Sequence, residues 1–233
     1  MTDIEFSSEI TVKLVRAMAS DDMVVQAAQV SSKGENKPDT VPARLINALV
    51  KGKHGSPFEH NAFTFFVEAP IFVFREWHRH RIASINEMSG RYTELLPKFY
   101  VPAEDRGLAM LENATKMKPE MYIDWDLHSI VRRVIMRNSE VAWNEYQLQL
   151  REGVVSEIAR IVLPLNIYSQ MYWTVNARAL MNFLSLRSSQ EGAAYPSYPQ
   201  REIQMGAELI EGYFAQEMPL TYKAFIDNGR VAP

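Results

Sequence analysis

The stretch AFTFFVEAPIFVFREWHRHRIASINEMSGRY, residues 62–92, carries three patterns in succession. Phe63, Phe65 and Val67 alternate with less apolar positions up to Pro70, the period of two that a half-buried strand requires. Pro70 stands where the first turn of a helix tolerates proline, and residues 71–81, IFVFREWHRHR, follow without a breaker. The pattern predicts a helix that ends in the basic cluster, on which Arg75 and Arg79 share one face and Glu76 and His80 another. From 82 to 91, Ser84, Asn86, Ser89 and Gly90 crowd together, which predicts an irregular loop leaving the helix. Strand, helix and polar loop in one continuous run make a mixed α/β chain.

The same signals continue outward. Ile10, Val12 and Leu14 alternate as in a strand, and Asp21 and Asp22 offer N-caps for a short helix through Val25 and Ala28. Thr40 with Pro42 opens another helix through Leu45, Ile46 and Leu49, with Gly52 as its stop. HGSPFEH, residues 54–60, reads as a turn. From Asp126 to about Arg151, Leu127, Ile130, Val131, Val134, Ile135 and Val141 follow helical spacing, predicting one long amphipathic helix. A second helix carrying Ile158, Ala159 and Val162 should stop near Pro164, and SQMYWTV, residues 169–175, reads as a strand. Asn176 can cap ARALMNFLSLR, a helix with Leu180, Phe183 and Leu184 inward, Arg178 and Asn182 one turn apart, and Arg187 near its end. Residues 188–200, SSQEGAAYPSYPQ, form a loop before a final helix from about Arg201 to Met218. No repeat or linker divides the chain, so a single domain over residues 1–233 is expected.

Composition narrows the function. Of 233 residues, 47% are hydrophobic and 23% charged, the balance of a soluble globular protein. A formal net charge of -3 disfavours a general polyanion binder, so nucleic acid is not the expected partner. No apolar run is long enough to span a bilayer and the N-terminal residues show no basic leader with an apolar core, so a cytoplasmic protein is expected. The absence of cysteine removes disulfides, thiolate metal sites and every cysteine nucleophile.

Against that acidic background Arg79, Arg81 and Arg91 cluster, and guanidinium forks match phosphate and carboxylate oxygens bidentately. Ser89 and Gly90 add small donors and free backbone amides, as in a phosphate cradle. An anionic small ligand is the reading that results; the plainer alternative is a solvated basic helix end favoured by the helix dipole. Four histidines, His54, His60, His78 and His80, invite a metal reading, but His78 and His80 point different ways on a helix and adjacent arginines repel a cation, so no metal is expected. Glu87, flanked by arginines, suits accepting hydrogen bonds better than abstracting a proton. Arg160 and Arg178 sit in apolar sequence, where a charge is costly unless paired with a carboxylate or an anionic ligand. For His54 and Ser56, turn chemistry around Gly55 and Pro57 is as good an explanation as function. There is no Gly-x-Gly-x-x-Gly and no Gly-x-x-x-x-Gly-Lys, so a bound nucleotide would be held by side chains.

Arg79-His80-Arg81, seven residues, then Ser89 is a signature, and HGSPFEH, APIFV, EIARIVLPLN and WTVNARALMNFL accompany it in order. In these the chain resembles the flavin-dependent thymidylate synthases over roughly residues 8 to 188, and more loosely over the last helix. The resemblance implies an α/β fold with a mostly antiparallel sheet packed by helices. It also implies reductive methylation of dUMP to dTMP, with methylenetetrahydrofolate as carbon donor, FAD as hydride carrier and NADPH as reductant. That chemistry needs no cysteine nucleophile, in keeping with a chain that has none. Carried over residue by residue, the flavin contacts fall on Ser56, Arg79, His80, Arg81, Glu87, Asn176, Arg178 and Asn182, with His54 near the flavin ring. The nucleotide contacts fall on Glu76, Arg79, Glu87, Ser89, Gly90, Arg91, Arg160 and Arg187. Arg187 matches the residue that polarises the uracil and favours loss of its ring proton, as a fixed cation beside a developing anion should. Ser89 suits binding rather than nucleophilic attack. The resemblance further implies a homotetramer with active sites shared between subunits. The chain departs from the pattern in loop 188–200, longer than in many relatives and without their histidine, and at Glu76, where some relatives carry glutamine. Three other readings stay open: a flavoprotein acting on another pyrimidine nucleotide, a noncatalytic nucleotide- or RNA-binding module and, the weakest, a hydrolase with a histidine-bound metal.

Overall fold

The computed structural model describes residues 3–33, 41–115 and 118–233. Its strands are β1 (Glu5–Ser7), β2 (Thr11–Met18), β3 (Ala62–Pro70), β4 (Ser84–Glu87), β5 (Lys98–Tyr100), β6 (Ala109–Met110), β7 (Met121–Tyr122) and β8 (Tyr168–Asn176). Its helices are α1 (Asp21–Lys33), α2 (Pro42–Lys51), α3 (Ile71–Trp77), α4 (Trp125–Arg151), α5 (Ser156–Ala159), α6 (Ala177–Arg187), α7 (Arg201–Glu217) and α8 (Pro219–Asp227), with short 3-10 turns at Ser56–His60 and Arg160–Val162. The fold is α/β, as the sequence predicts.

The main sheet has four strands in the order β2-β3-β8-β4. Cross-strand pairs fix the direction of β3 against β8: the hydroxyls of Thr64 and Thr174 lie 2.9 Å apart, Phe66 meets Tyr172 edge to face, and Gln170 donates to Glu68 at 2.6 Å. Numbers fall on one strand as they rise on the other, so the pair is antiparallel. Phe63, Phe65 and Val67 are fully buried, as the alternation requires. Two further pairs form: β1 with β5 in parallel and β6 with β7 antiparallel.

The chain divides into two compact units. The first comprises Met1–Ile10, Glu68–Glu76 and Glu87–Met171, and its core gathers Leu95, Phe99, Trp143, Tyr146, Ala159 and Ile167. α4 supplies Trp143 and Tyr146 to that core, whereas Ile130, Val134 and Val141 of the apolar stripe expected from the sequence are exposed. The second unit comprises Thr11–Val67, Trp77–Asn86 and Tyr172–Pro233. Its core is aromatic: Phe65 stacks on Trp173, and Trp173, Trp77 and Phe183 meet one another with ring centroids 5.0 to 5.5 Å apart. Each such fully buried ring stabilises the fold by about 1.5–3 kcal/mol through apolar area removed from water.

Four expectations need correction. First, α3 ends at Trp77, before the Arg-His-Arg cluster. The helix spends its inward positions on Val73, Phe74 and Trp77; the next ones would be His80 and Arg81, and the chain turns instead, with the His80 N–H on the Trp77 carbonyl at 3.0 Å. Second, residues 84–87 are strand β4 rather than loop, because Ser84–Glu87 supplies the last strand of the sheet, beside β8. Third, Asp21 does not cap α1. The Ser20 hydroxyl accepts from the Met23 N–H at 3.1 Å, while the Asp21 carboxylate accepts from the N–H groups of Leu220 and Thr221 and from the Thr221 hydroxyl, capping α8. Fourth, the helix expected from about Arg201 to Met218 forms as α7, but it is not the last: α7 stops at Glu217, since Pro219 has no N–H to continue it, and α8 starts at that proline. Pro42 opens α2 and Gly52 ends it as expected, whereas Thr40 lies outside the described residues. Among the described residues no helix is long and apolar enough to cross a membrane.

Candidate active site

In the second unit, the turn after α3 and the length of α6 face a common cleft of about 670 Å³. Arg79, His80 and Arg81 come from the turn; Asn176, Arg178, Asn182 and Arg187 come from α6 and its cap. These are seven of the sequence-predicted site residues, separated by about a hundred positions in the chain and brought onto one surface. The order within α6 is helical: Arg178 and Asn182 stand four apart on the exposed face, while Leu180, Phe183 and Leu184 are fully buried opposite. The Asn176 side chain accepts from the Ala179 N–H at 2.8 Å, which starts the helix where its side chains reach the cleft.

Glu59 is the carboxylate among the lining residues, against the four guanidiniums of Arg79, Arg81, Arg178 and Arg187. It pairs with Arg178 at 2.6 Å, and Arg178 Nε also donates to the main-chain oxygen of Pro233 at 2.8 Å. Gly55 makes this possible: a Cβ there would stand 2.3 Å from Arg178 Nε and 2.5 Å from Cζ. The cost anticipated for an arginine in apolar sequence is thus met by a carboxylate partner and an exposed head group.

His80 is half-buried, its ring edge-on to Phe183 with centroids 4.9 Å apart. Its Nε2 accepts from Arg187 Nε at 3.1 Å. Burial first, and then the positive charges of Arg187 and Arg79, push its pKa down to about 4, so the ring is neutral at physiological pH.

The first unit holds a second group. Ser89, Gly90 and Arg91 form a tight turn in which the Ser89 carbonyl accepts the N–H groups of Tyr92 and Thr93, both at 3.1 Å. The Arg160 side chain runs along this turn, 3.2 Å from where a Gly90 Cβ would be. Arg91 Nε donates to Glu157 at 2.9 Å. Glu76 sits in α3 and Glu87 at the end of β4, both half-buried. The remaining two sequence-predicted residues do not line the cleft described above: His54 folds its ring against Gly52 at the end of α2, and exposed Ser56 opens the 3-10 turn that carries Glu59.

Sequence reasoning passed over Glu59 and Glu157. Each carried a signal: Glu59 lies inside the quoted HGSPFEH, and Glu157 is three residues before Arg160, one turn away. Leu186 and Pro233, also at the cleft, carried none, being ordinary apolar positions. Among the described residues no group of three or more histidines and carboxylates stands close enough together to hold a metal ion.

The model of the thymidylate synthase complementing protein family matches residues 13–220. A flavin-dependent thymidylate synthase of Streptomyces avermitilis is 48% identical over 239 residues, covering 98% of this chain and 95% of the relative. One from Tropheryma whipplei is 47% identical over 236 residues, covering 99% and 98%. Among solved structures, PolB from Streptomyces cacaoi, a UMP/dUMP methylase bound with 5-Br UMP or 5-Br dUMP, superposes with a TM-score of 0.92 at 48% identity, covering 99% of this chain and all of that one. With the family model matching residues 13–220 and the relatives matching nearly end to end, the chain belongs to the thymidylate synthase complementing protein family.

Proposed function

We propose that this protein is a flavin-dependent thymidylate synthase that converts dUMP to dTMP, with FAD, NADPH and methylenetetrahydrofolate, in a homotetramer whose subunits share active sites. The observation that carries the reading is the cleft of the second unit, where four arginines, two asparagines and a neutral histidine converge on a space of small-molecule size. Its donor set fits a flavin dinucleotide: Arg178 and its neighbours suit the diphosphate, the carboxamides of Asn176 and Asn182 suit the polar edge of a ring, and His80 offers an uncharged face. When bound, a flavin supplies the hydride that completes a methyl group from the folate's one-carbon unit.

The chain's own residues bind and polarise. Ser89, Gly90, Arg91 and Arg160 suit a nucleotide monophosphate, and Glu76 and Glu87 supply acceptors for ribose or base. Arg187 places a permanent positive charge where the uracil ring becomes anionic as it gives up its proton, the role that a cysteine addition fills in other chemistry.

The direct test is an anaerobic visible spectrum with FAD, before and after NADPH in the presence of dUMP, followed by a product assay. A flavin band that bleaches and dTMP that forms are expected. Folded protein that retains no flavin would overturn the proposal. Because PolB is a UMP/dUMP methylase, UMP belongs in the same assay; methylation of UMP at a comparable rate would favour the reading as a broader pyrimidine nucleotide methylase.

A further inference from the structure

We propose that His80 is the positioning residue for Arg187: its neutral imidazole accepts the Nε–H of the guanidinium and so fixes the plane in which that group meets the uracil ring. The inference rests on the reading of Arg187 as the group that polarises the base.

Arg187 is the last residue of α6, where a long side chain has many rotamers and no following turn to restrain it. A neutral acceptor restrains it without itself adding negative charge. Arg187 Nε stands 3.1 Å from His80 Nε2, so this N–H is committed to the imidazole and sets the orientation of the guanidinium plane at the cleft. Accepting at Nε2 requires the lone pair there, which places the proton of the neutral ring on Nδ1.

His80 is itself held. Its N–H closes the turn on the Trp77 carbonyl at 3.0 Å, and its ring abuts Phe183, which packs against buried Trp77 and Trp173. The imidazole therefore sits on the aromatic core rather than on a mobile loop. Arg79 and Arg187 flank it with positive charge and burial disfavours a second proton, which keeps the acceptor form. The main chain beyond Arg187 is fixed as well: the Ser188 hydroxyl donates to Glu211 at 2.6 Å, and Arg230 grips Glu211 at 2.6 and 3.0 Å. With backbone and imidazole both anchored, the guanidinium has a defined direction. A role for His80 limited to contacting a ligand would leave its acceptor nitrogen facing the cleft, whereas here that nitrogen is occupied by Arg187.

The test has two arms. In the ligand-free protein, nitrogen-15 NMR of labelled histidine reads the ring: a neutral His80 protonated on Nδ1, with Nε2 bare and coupled to the Arg187 Nε–H, is expected at neutral pH. An imidazolium, or a ring protonated on Nε2, would overturn the proposal. The second arm compares His80→Gln and His80→Leu at saturating FAD. Glutamine can present a carbonyl acceptor and leucine cannot. His80→Leu is expected to lose about 100-fold in kcat, the scale set by misplacing a catalytic group by about 1 Å. dUMP affinity should stay within a few-fold, and His80→Gln should recover at least five-fold of the lost kcat. Equal losses in the two variants, or a loss confined to KM, would sink the idea. If the parent protein makes no dTMP at all, the synthase reading fails, and the NMR arm still decides whether His80 holds Arg187.

Discussion

Gly55→Ala separates the proposed binding role of Arg178 from its part in the fold. Gly55 has φ -78° and ψ -29°, a helical conformation that alanine adopts without strain, so only the added methyl matters. That carbon would lie 2.3, 2.5 and 2.9 Å from Arg178 Nε, Cζ and Cδ, against a comfortable separation of about 3.5–4.0 Å. The guanidinium must therefore move by more than about 1 Å, away from Glu59 and from the Pro233 oxygen. The cost to the fold is small. The Glu59 pair is nearly half exposed, worth about 0–1 kcal/mol, and the hydrogen bond to Pro233 about 1 kcal/mol. Replacing glycine in a helical conformation returns about 0.4–1 kcal/mol by restricting the unfolded chain. Tm should then shift by no more than about 2–4 °C for a chain of this size. The cost to binding is larger, because a displaced charge-assisted contact to a diphosphate is worth about 1.5–3 kcal/mol, or about 10- to 150-fold in Kd. Flavin fluorescence titration of the apoprotein measures it, with Arg178→Ala as the reference for complete loss. FAD bound as tightly as by the parent would refute the placement of Arg178 on the flavin. A fall in Tm beyond about 10 °C would show instead that the Gly55–Arg178 packing holds the fold.

Three further outcomes are expected. Glu157→Gln releases Arg91 from its 2.9 Å ion pair; stability should change by no more than about 0.5 kcal/mol since both groups are about half exposed, while dUMP binding by calorimetry should tighten several-fold. Arg187→Ala should lower kcat at saturating dUMP by about 10²–10³, the usual consequence of removing a group aimed at developing negative charge, with an unchanged melting curve. Glu211→Gln bears on stability and its pH dependence. Burial alone would raise the Glu211 pKa, but the hydrogen bonds and charge of Arg230, with help from Ser188 and Tyr222, hold it below the ordinary value of 4.5. A depressed folded pKa contributes stability that is present above 4.5 and lost as pH falls below it, so parental Tm should decline in that acid window and the variant's should not. At neutral pH the variant leaves Arg230, only 4% exposed, without its counter-charge and should be destabilised by about 3–5 kcal/mol, read by urea denaturation.

Much of this protein was legible before any coordinates. The alternation of Phe63, Phe65 and Val67, the helical spacing through α4 and the Asn176 cap of α6 are local patterns, and local patterns survive because backbone geometry and burial impose the same period everywhere. The Arg79-His80-Arg81 to Ser89 spacing pointed to the family, and the cluster of Arg79, Arg81 and Arg91 in an acidic chain raised the expectation of an anionic ligand. What failed were assignments in which a residue's partner lies far along the chain. Asp21 has the right chemistry for an N-cap, but its carboxylate serves α8, 199 residues away at Leu220. Residues 84–87 have turn composition and are nevertheless a strand, since an edge position beside β8 asks for hydrogen bonds rather than for apolar side chains. Glu59 beside Arg178, Glu157 beside Arg91 and Arg187 against His80 were equally invisible, because charge complementarity between distant segments leaves no period to read. The sequence by itself determined the fold class and the longer helices and strands, which depend on residue type and short-range spacing. Only the tertiary structure decided which carboxylate restrains which arginine and which nitrogen of His80 is occupied, because those depend on angstrom distances between parts of the chain that meet only on folding.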